Sequence, residues 1–67
     1  MVDGTKIRNL RETLNLNTLE FADAVQISQT QLVHVETGVK QPSAALLKRI
    51  ADFLKVSVDD LYKKEAV

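Results

Sequence analysis

The sequence is poor in residue types that support particular folds and sites. Among its 67 residues there are no cysteines, one histidine, one proline, two glycines and three aromatic residues. Without cysteine the chain has no disulfide and no thiolate metal ligand, which fits a reducing cytosol, and a single histidine argues against a zinc site. Its apolar runs are no longer than four residues, so we expect neither a membrane-spanning helix nor a secretory segment. These absences favour a cytoplasmic protein without a metal or a cofactor.

The length of the chain limits its architecture. Sixty-seven residues are enough for one domain with one small hydrophobic core. The sequence contains no repeat, linker or low-complexity segment. We therefore predict a single domain over residues 1–67, with a folded core over residues 5–62 and a short tail over residues 63–67.

Two helix-start patterns lie close together between Asn17 and Gly38. Asn17 is followed by Glu20, and Ser28 is followed by Gln31, each pair three residues apart. This spacing is typical of a capping box, in which the two side chains bond reciprocally to free backbone N–H groups. Two short helices separated by only about three residues cannot lie antiparallel, so they must cross steeply, as in a helix-turn-helix.

The rest of the sequence also has helical periodicity and no strand pattern. We expect helix 1 from about Thr5 to Leu14, helix 4 after the cap residue Ser43, and a short helix 5 after the cap residue Ser57. The apolar residues expected on the inner faces are Ile7, Leu10, Leu14, Phe21, Ala22, Val25, Leu32, Val35, Leu46, Leu47, Ile50, Ala51 and Leu54. The predicted fold class is all-α, a compact five-helix domain in which helices 2 and 3 form the helix-turn-helix.

The order and spacing of these motifs resemble one known family. The matching pieces are IRNLRE in helix 1, F-A-x-x-V in helix 2, ISQTQLVHVETG in helix 3 and QPSAALLKRIADFLKVSVDDLY in the last two helices. They extend from about Lys6 to Tyr62, and the chain resembles the phage repressor and Cro-like (XRE-type) helix-turn-helix family. The resemblance implies a sequence-specific transcriptional regulator, of the repressor type, whose partner is double-stranded DNA.

Four residues of helix 3 are the candidates for base reading. Exposed residues near the start of a recognition helix contact base edges, and here these are Gln29 and Thr30, with Val33 and His34 one turn later. A glutamine amide can bond adenine N6 and N7, and threonine or valine can contact the thymine methyl group. Taken alone, these residues also suit an ordinary solvated face, and His34 is equally suited to a base, a phosphate or solvent.

Phosphate contacts are expected at helix N-termini, where free N–H groups and the helix dipole favour anions. Asn17 and Thr18 stand at the start of helix 2, and Thr37, Lys40 and Ser43 flank the loop between helices 3 and 4. We predict that these five residues contact the DNA backbone.

Arg11 and Glu36 each lie beside apolar residues on an otherwise inward-facing side of a helix. In proteins that this chain resembles, Arg and Glu at the matching positions pair between helices 1 and 3. We predict that Arg11 and Glu36 form a structural ion pair; the alternative is two solvated surface charges.

The chain departs from the family pattern at three places. Thr18 stands where a phosphate-binding glutamine is common, and Gln26 stands where the turn usually has glycine. If that turn position needs a positive φ, glutamine costs roughly 1 kcal/mol relative to glycine. Lysine and arginine, which are common in recognition helices of the family, are absent from helix 3.

The charge distribution is unusual for a protein that binds DNA. Nine basic and nine acidic residues cancel overall, but residues 17–37 contain Glu20, Asp23 and Glu36 and no lysine or arginine, a net charge of −3. Because DNA affinity depends strongly on neutralised phosphates, we expect poor non-specific binding.

A protein-docking module is therefore the alternative function. Leu14, Leu19, Val33 and Val39 occupy positions where the family more often has polar residues. An apolar, acidic helix 2–3 face could dock on another regulatory protein, as an antirepressor or an antitoxin does, since the fold does not determine the function. An enzyme is not expected, because the sequence has no nucleophile–base pair, metal-ligand cluster or phosphate-binding glycine loop.

Self-association is expected on DNA. One module of this size buries too little surface for operator specificity, so we predict a homodimer on a pseudo-palindromic operator with half-sites roughly 34 Å apart. Val58, Leu61 and Tyr62 of helix 5 are the predicted dimer face; the alternative is that they only close the core of the monomer.

Overall fold

The computed structural model describes residues 1–62, which form an all-helical fold. Four α-helices follow one another in the chain, α1 (Gly4–Thr13), α2 (Thr18–Ala24), α3 (Gln29–Thr37) and α4 (Ala44–Leu54). Within the described residues there is no β-strand, and one isolated antiparallel bridge pairs Val2 with Tyr62. The predicted tail over residues 63–67 lies outside the described part of the chain.

The predicted fifth helix is a single 3-10 turn, Val58–Leu61, rather than an α-helix. Ser57 caps this turn as expected: its hydroxyl oxygen accepts a hydrogen bond from the Asp60 N–H, and the Asp60 carboxylate accepts one from the Ser57 N–H. The turn is short because Tyr62 is already extended, with φ −89° and ψ 146°, and pairs with Val2. Residues 1–62 therefore contain four α-helices followed by one 3-10 turn.

Side-chain caps determine where the α-helices begin. Asp3 caps α1 by accepting from the Lys6 N–H, and Ser43 caps α4 by accepting from the Leu46 N–H. Asn17 and Glu20 form both bonds of the predicted capping box of α2.

The second predicted capping box forms only in part. Ser28 Oγ accepts a hydrogen bond of 3.0 Å from the Gln31 N–H. Gln31 is exposed, and its side chain returns no bond to Ser28 among the described contacts. One side-chain bond is nevertheless enough to begin α3 after the turn.

Residues with a left-handed backbone conformation mark where the α-helices end. Asn15, Gln26 and Lys55 have φ values of 59°, 64° and 58°, and Gly38 has a φ of 81°. Glycine and asparagine adopt this conformation with little strain, whereas glutamine and lysine do so at a cost. The turn of the helix-turn-helix thus contains a strained residue, as its departure from the family pattern suggested.

One hydrophobic core holds the helices together. Its buried residues are Val2, Ile7, Phe21, Ala22, Val25, Leu32, Val35, Leu46, Leu47, Ile50, Ala51 and Leu61, with Leu10 and Leu54 packed at its margin. The prediction for Leu14 is wrong: it caps the end of α1 and is exposed, because the helical periodicity stops one residue earlier.

The folded core also begins earlier in the chain than the predicted residue 5. Val2 is buried, and the Asp3 N–H donates to the Leu61 carbonyl oxygen at 2.7 Å. A Cβ atom at Gly4 would overlap with the carbonyl oxygens of Val35 and Glu36. The start of α1 therefore lies directly against the end of α3, which only glycine permits.

Candidate nucleic-acid interface

Helix α3 presents one side to the core and the other to solvent. Leu32 and Val35 are fully or nearly fully buried and hold the helix against the rest of the domain. On the opposite side, Gln29, Thr30 and Val33 are exposed, while His34 is half-buried. The four residues predicted to read bases thus share one side of α3, with His34 at its margin.

A hydrogen bond ties Gln29 to the start of α2. Gln29 Nε2 donates to Thr18 Oγ1 at 2.6 Å, so Thr18, which stands at the usual glutamine position, contacts the start of α3. This bond uses one of the two amide hydrogens and leaves the Gln29 carbonyl oxygen and the second hydrogen free. A side chain held in this way offers a donor and an acceptor side by side, which is the pattern that an adenine edge requires.

The end of α3 and the loop after it contain three side chains that differ in what they offer to a phosphate group. The Thr37 hydroxyl donates to the Val33 carbonyl oxygen at 2.8 Å, so Thr37 must rotate before it can donate elsewhere. Lys40 is exposed in the loop after α3. The Ser43 oxygen accepts from the Leu46 N–H at 3.2 Å, and its own hydroxyl hydrogen remains available as a donor.

The N-terminus of α2 is already occupied by a carboxylate. Glu20 Oε1 accepts from the Asn17 N–H at 3.1 Å, and Asn17 Oδ1 accepts from the Glu20 N–H at 2.7 Å. The side-chain amide nitrogen of Asn17, Nδ2, remains a free donor, as does the Thr18 hydroxyl hydrogen. A phosphate group at this end of α2 would therefore meet two donors and one nearby negative charge.

Arg11 and Glu36 form the predicted ion pair between α1 and α3. Arg11 Nε and one terminal nitrogen donate to the two Glu36 carboxylate oxygens, at 2.9 Å and 3.3 Å. The other terminal nitrogen of Arg11 donates to the Leu16 carbonyl oxygen at 2.7 Å. The two side chains are only 10% and 6% exposed, so the pair holds α1, α3 and the α1–α2 connection together and is not available to a ligand.

The ion pair also changes the charge of the helix-turn-helix surface. Glu36 contributes one of the three negative charges of residues 17–37, and Arg11 from α1 neutralises it. The exposed negative charges of this segment are therefore those of Glu20 and Asp23, both on α2, and α3 itself presents no charged residue on its solvent side.

The residues predicted to form a dimer face differ in their exposure. Leu61 is completely buried and packs within the core of its own chain, so the prediction that it contacts a second copy is wrong. Val58 is half-buried and Tyr62 is 42% exposed. Of the three predicted residues, Val58 and Tyr62 are therefore the two with surface that a second copy could contact.

One contact of the loop after α3 was missed by sequence reasoning. Gln41 Oε1 accepts a hydrogen bond of 3.0 Å from the Val2 N–H, across 39 positions of the chain. No local pattern connects these two residues, so only the fold reveals the contact.

Residues 1–62 contain neither a metal-binding cluster nor a membrane-spanning helix. No group of three or more His, Asp or Glu side chains in this range lies close enough together to hold a metal ion. No helix in the same range is long and apolar enough to cross a membrane.

The family model for the helix-turn-helix matches residues 7–61. The chain belongs to the XRE-type helix-turn-helix family. It is 37% identical over 62 residues to the uncharacterized HTH-type transcriptional regulator YazB of Bacillus subtilis, covering 92% of this chain and 90% of YazB. It is 36% identical over 64 residues to an uncharacterized HTH-type transcriptional regulator of Mycobacterium tuberculosis, covering 96% of this chain but only 46% of that protein. The chain thus spans about half the length of the mycobacterial relative.

A solved structure with a similar fold is that of a phage repressor. The P22 c2 repressor, crystallised in complex with a synthetic operator, superposes with a TM-score of 0.88 at 23% sequence identity, covering 97% of this chain and 98% of the repressor chain. At this identity the likeness establishes the fold of the chain.

Proposed function

We propose that this protein is a sequence-specific DNA-binding transcriptional regulator of the repressor type, acting in the cytoplasm as a homodimer on a pseudo-palindromic operator. In this proposal α3 enters the major groove and reads bases through Gln29, Thr30, Val33 and His34. The start of α2 and the loop between α3 and α4 contact the phosphate backbone.

The observation that carries this proposal is the solvent-facing side of α3. It begins with Gln29, whose amide is held by Thr18 at 2.6 Å with an acceptor and a donor left free. It continues with a hydroxyl at Thr30 and an exposed methyl surface at Val33. These groups suit an adenine edge and a thymine methyl group, and α3 itself carries no charged side chain on this side.

The phosphate contacts are proposed for Asn17, Thr18, Thr37, Lys40 and Ser43. Lys40 supplies the one cationic side chain of this set, while the others supply neutral donors. A site with so few cations gives a shallow dependence of affinity on salt, because few counterions are released. Discrimination between bases then contributes an unusually large share of the affinity.

A selection from random double-stranded DNA tests the proposal. We expect enrichment of a sequence with two related half-sites about one helical turn apart. We also expect a gel shift that persists between 50 and 200 mM salt with a loss of affinity of roughly three- to fourfold per half-site, far less than for a highly basic DNA-binding protein. Failure to enrich any sequence would contradict the proposal.

A second candidate function is docking on another regulatory protein, in the manner of an antirepressor or an antitoxin. Leu19 and Val39 are 61% and 67% exposed, and residues 17–37 have no basic residue. Leu19→Ser and Val39→Ser separate the two candidates. Loss of binding to a protein partner, with no selected DNA sequence, favours docking; an unchanged gel shift favours DNA.

A further inference from the structure

The loop between α3 and α4, residues 38–43, carries two of the proposed phosphate contacts, Lys40 and Ser43. Its path is set by few bonds in the described structure. The Lys40 N–H donates to the His34 carbonyl oxygen at 3.2 Å, and the Ser43 side chain caps α4. Between them, the Gln41 side chain accepts from the Val2 N–H at 3.0 Å. Apart from the cap, this is the one side-chain hydrogen bond of the loop within residues 1–62.

Val2 is a rigid anchor for that bond. Its side chain is 6% exposed, and the following Asp3 N–H is bound to the Leu61 carbonyl oxygen at 2.7 Å. Asp3 also caps α1, and Gly4 is pressed against the end of α3. Each of these contacts fixes the backbone within two residues of the Val2 N–H, so this donor has little freedom to follow a moving loop.

The bridge between Val2 and Tyr62 leaves the Val2 N–H free for the loop. In this pairing the N–H of the neighbouring residue Asp3 donates to the Leu61 carbonyl oxygen, in the segment that contains Tyr62. The Val2 N–H therefore points away from Tyr62, and Gln41 is its acceptor. The exposed loop adjusts its position to the anchor, because the anchor is part of the core.

We propose that Gln41 is a positioning residue for DNA binding: by accepting from the Val2 N–H, it holds the loop where Lys40 and Ser43 meet the phosphate backbone. This inference rests on the proposed DNA-binding function. Gln41 itself needs no contact with DNA. Without the bond, the loop samples other positions, and Lys40 reaches its phosphate only in a fraction of them.

Two changes remove the bond from opposite sides. Gln41→Ala removes the acceptor. An amide-to-ester replacement at the Met1–Val2 bond, made by chemical synthesis of the chain, removes the donor N–H and adds no bulk. The two changes are combined in a double-mutant cycle, with the dissociation constant for the selected operator as the readout. Asn9→Ala, which removes an exposed amide on α1, is the matched control.

Each single change is expected to weaken operator binding on the order of three- to tenfold, and the combination to weaken it no further than either alone. In a chain that has Lys40, Gln41→Ala should also lower the salt slope, by at most the change of about one expected for Lys40→Ala. In a Lys40→Ala chain it should leave the slope unchanged. Asn9→Ala should change neither quantity. Either of two results would show a direct DNA contact of Gln41 and overturn the proposal. One is that the two losses of affinity add in the double-mutant cycle. The other is that Gln41→Ala weakens binding while the ester does not.

A measurement without DNA separates this inference from the proposed function. In the free protein, Gln41→Ala and the ester should shift the backbone amide NMR signals of residues 38–40 and of Ser43 in the same way. Unchanged loop signals in a chain that binds its operator overturn the role of Gln41 alone. Shifted signals in a chain that binds no DNA sequence overturn the DNA-binding function and, with it, the positioning role.

Discussion

Arg11 connects three parts of the fold through one side chain. Its guanidinium group donates to both carboxylate oxygens of Glu36 and to the Leu16 carbonyl oxygen. Because the ion pair is nearly excluded from solvent, each charge depends on the other for compensation. A hydrophobic pair of the same volume could be equally stable, but the removal of one partner leaves a buried charge.

We expect Glu36→Ala to lower the free energy of unfolding by about 2–4 kcal/mol, because it leaves the Arg11 charge buried and uncompensated. Urea denaturation measures this difference. The matched control is Glu12→Ala, which removes the partner of Arg8 in a pair whose side chains are 63% and 52% exposed; its effect should stay within about 0.5 kcal/mol. Equal effects of the two substitutions would contradict the assignment of a structural role to the buried pair.

Gln26 is the strained residue of the turn between α2 and α3. Gln26 has a φ of 64°, which strains glutamine but not glycine. Gln26→Gly should therefore raise the free energy of unfolding by about 1 kcal/mol, which corresponds to a rise in melting temperature of about 4–8 °C for a domain of this size. Asn15→Gly, at a φ of 59°, should give a smaller gain, since asparagine tolerates this conformation. A melting temperature lowered by Gln26→Gly would show that the glutamine side chain stabilises the turn by other means.

At the scale of the helices, α3 and the loop after it have separate roles in the proposed complex. Helix α3 contributes neutral hydrogen-bonding groups that distinguish bases, and the loop contributes a cation that any phosphate attracts equally. Substitutions in the two elements should therefore differ in how their effects depend on sequence and salt.

Gln29→Ala should weaken binding to the selected operator by about 1–3 kcal/mol and relax the preference at one base pair in each half-site. Lys40→Ala should weaken binding to all sequences and lower the salt slope by about one. Gel shifts on the operator and on single-base variants, at several salt concentrations, measure both effects. A uniform loss with Gln29→Ala would place that residue among the backbone contacts instead.

The helix boundaries that sequence predicts well are those with local signals. The caps Asn17, Ser28 and Ser43 act on N–H groups only three residues away, so the starts of α2, α3 and α4 follow from short patterns. The contact of Val2 with Tyr62 depends on the folded position of both chain ends. No periodicity indicates it, which is why the predicted core began three residues too late.

The proposed site likewise has features that a local sequence pattern predicts and features that only the fold reveals. The exposed side of α3 follows from helical periodicity, because Leu32 and Val35 determine which side faces inward. The burial of Leu61 was not predictable, since an apolar residue in a terminal turn suits a core and an interface equally. The Thr18–Gln29 bond also required the fold, because the crossing of α2 and α3 brings the two side chains together.

At the scale of the whole molecule, the end formed by Val58 and Tyr62 is the proposed contact between two copies. We expect two chains on each operator, and we expect Tyr62→Glu to reduce this to one while the chain stays folded, because Tyr62 is 42% exposed. Sedimentation of the DNA complex measures the stoichiometry. Leu61→Ala is the contrasting change: it should cost about 2–5 kcal/mol of folding stability by opening a cavity. An unaltered stoichiometry with Tyr62→Glu would exclude this end as the interface.

The pairing of the chain's second residue with its sixty-second has a consequence for biosynthesis. A chain emerging from the ribosome can form α1, α2 and α3 early, yet Val2 lacks its bridge partner until Tyr62 has been made, and the Asp3 N–H waits equally for Leu61. Loop closure over such a distance contributes little to early folding steps. The loop that holds Lys40 therefore acquires its complete anchor last, so a nascent or truncated chain would carry a formed α3 before it carries the finished surface that we propose binds DNA.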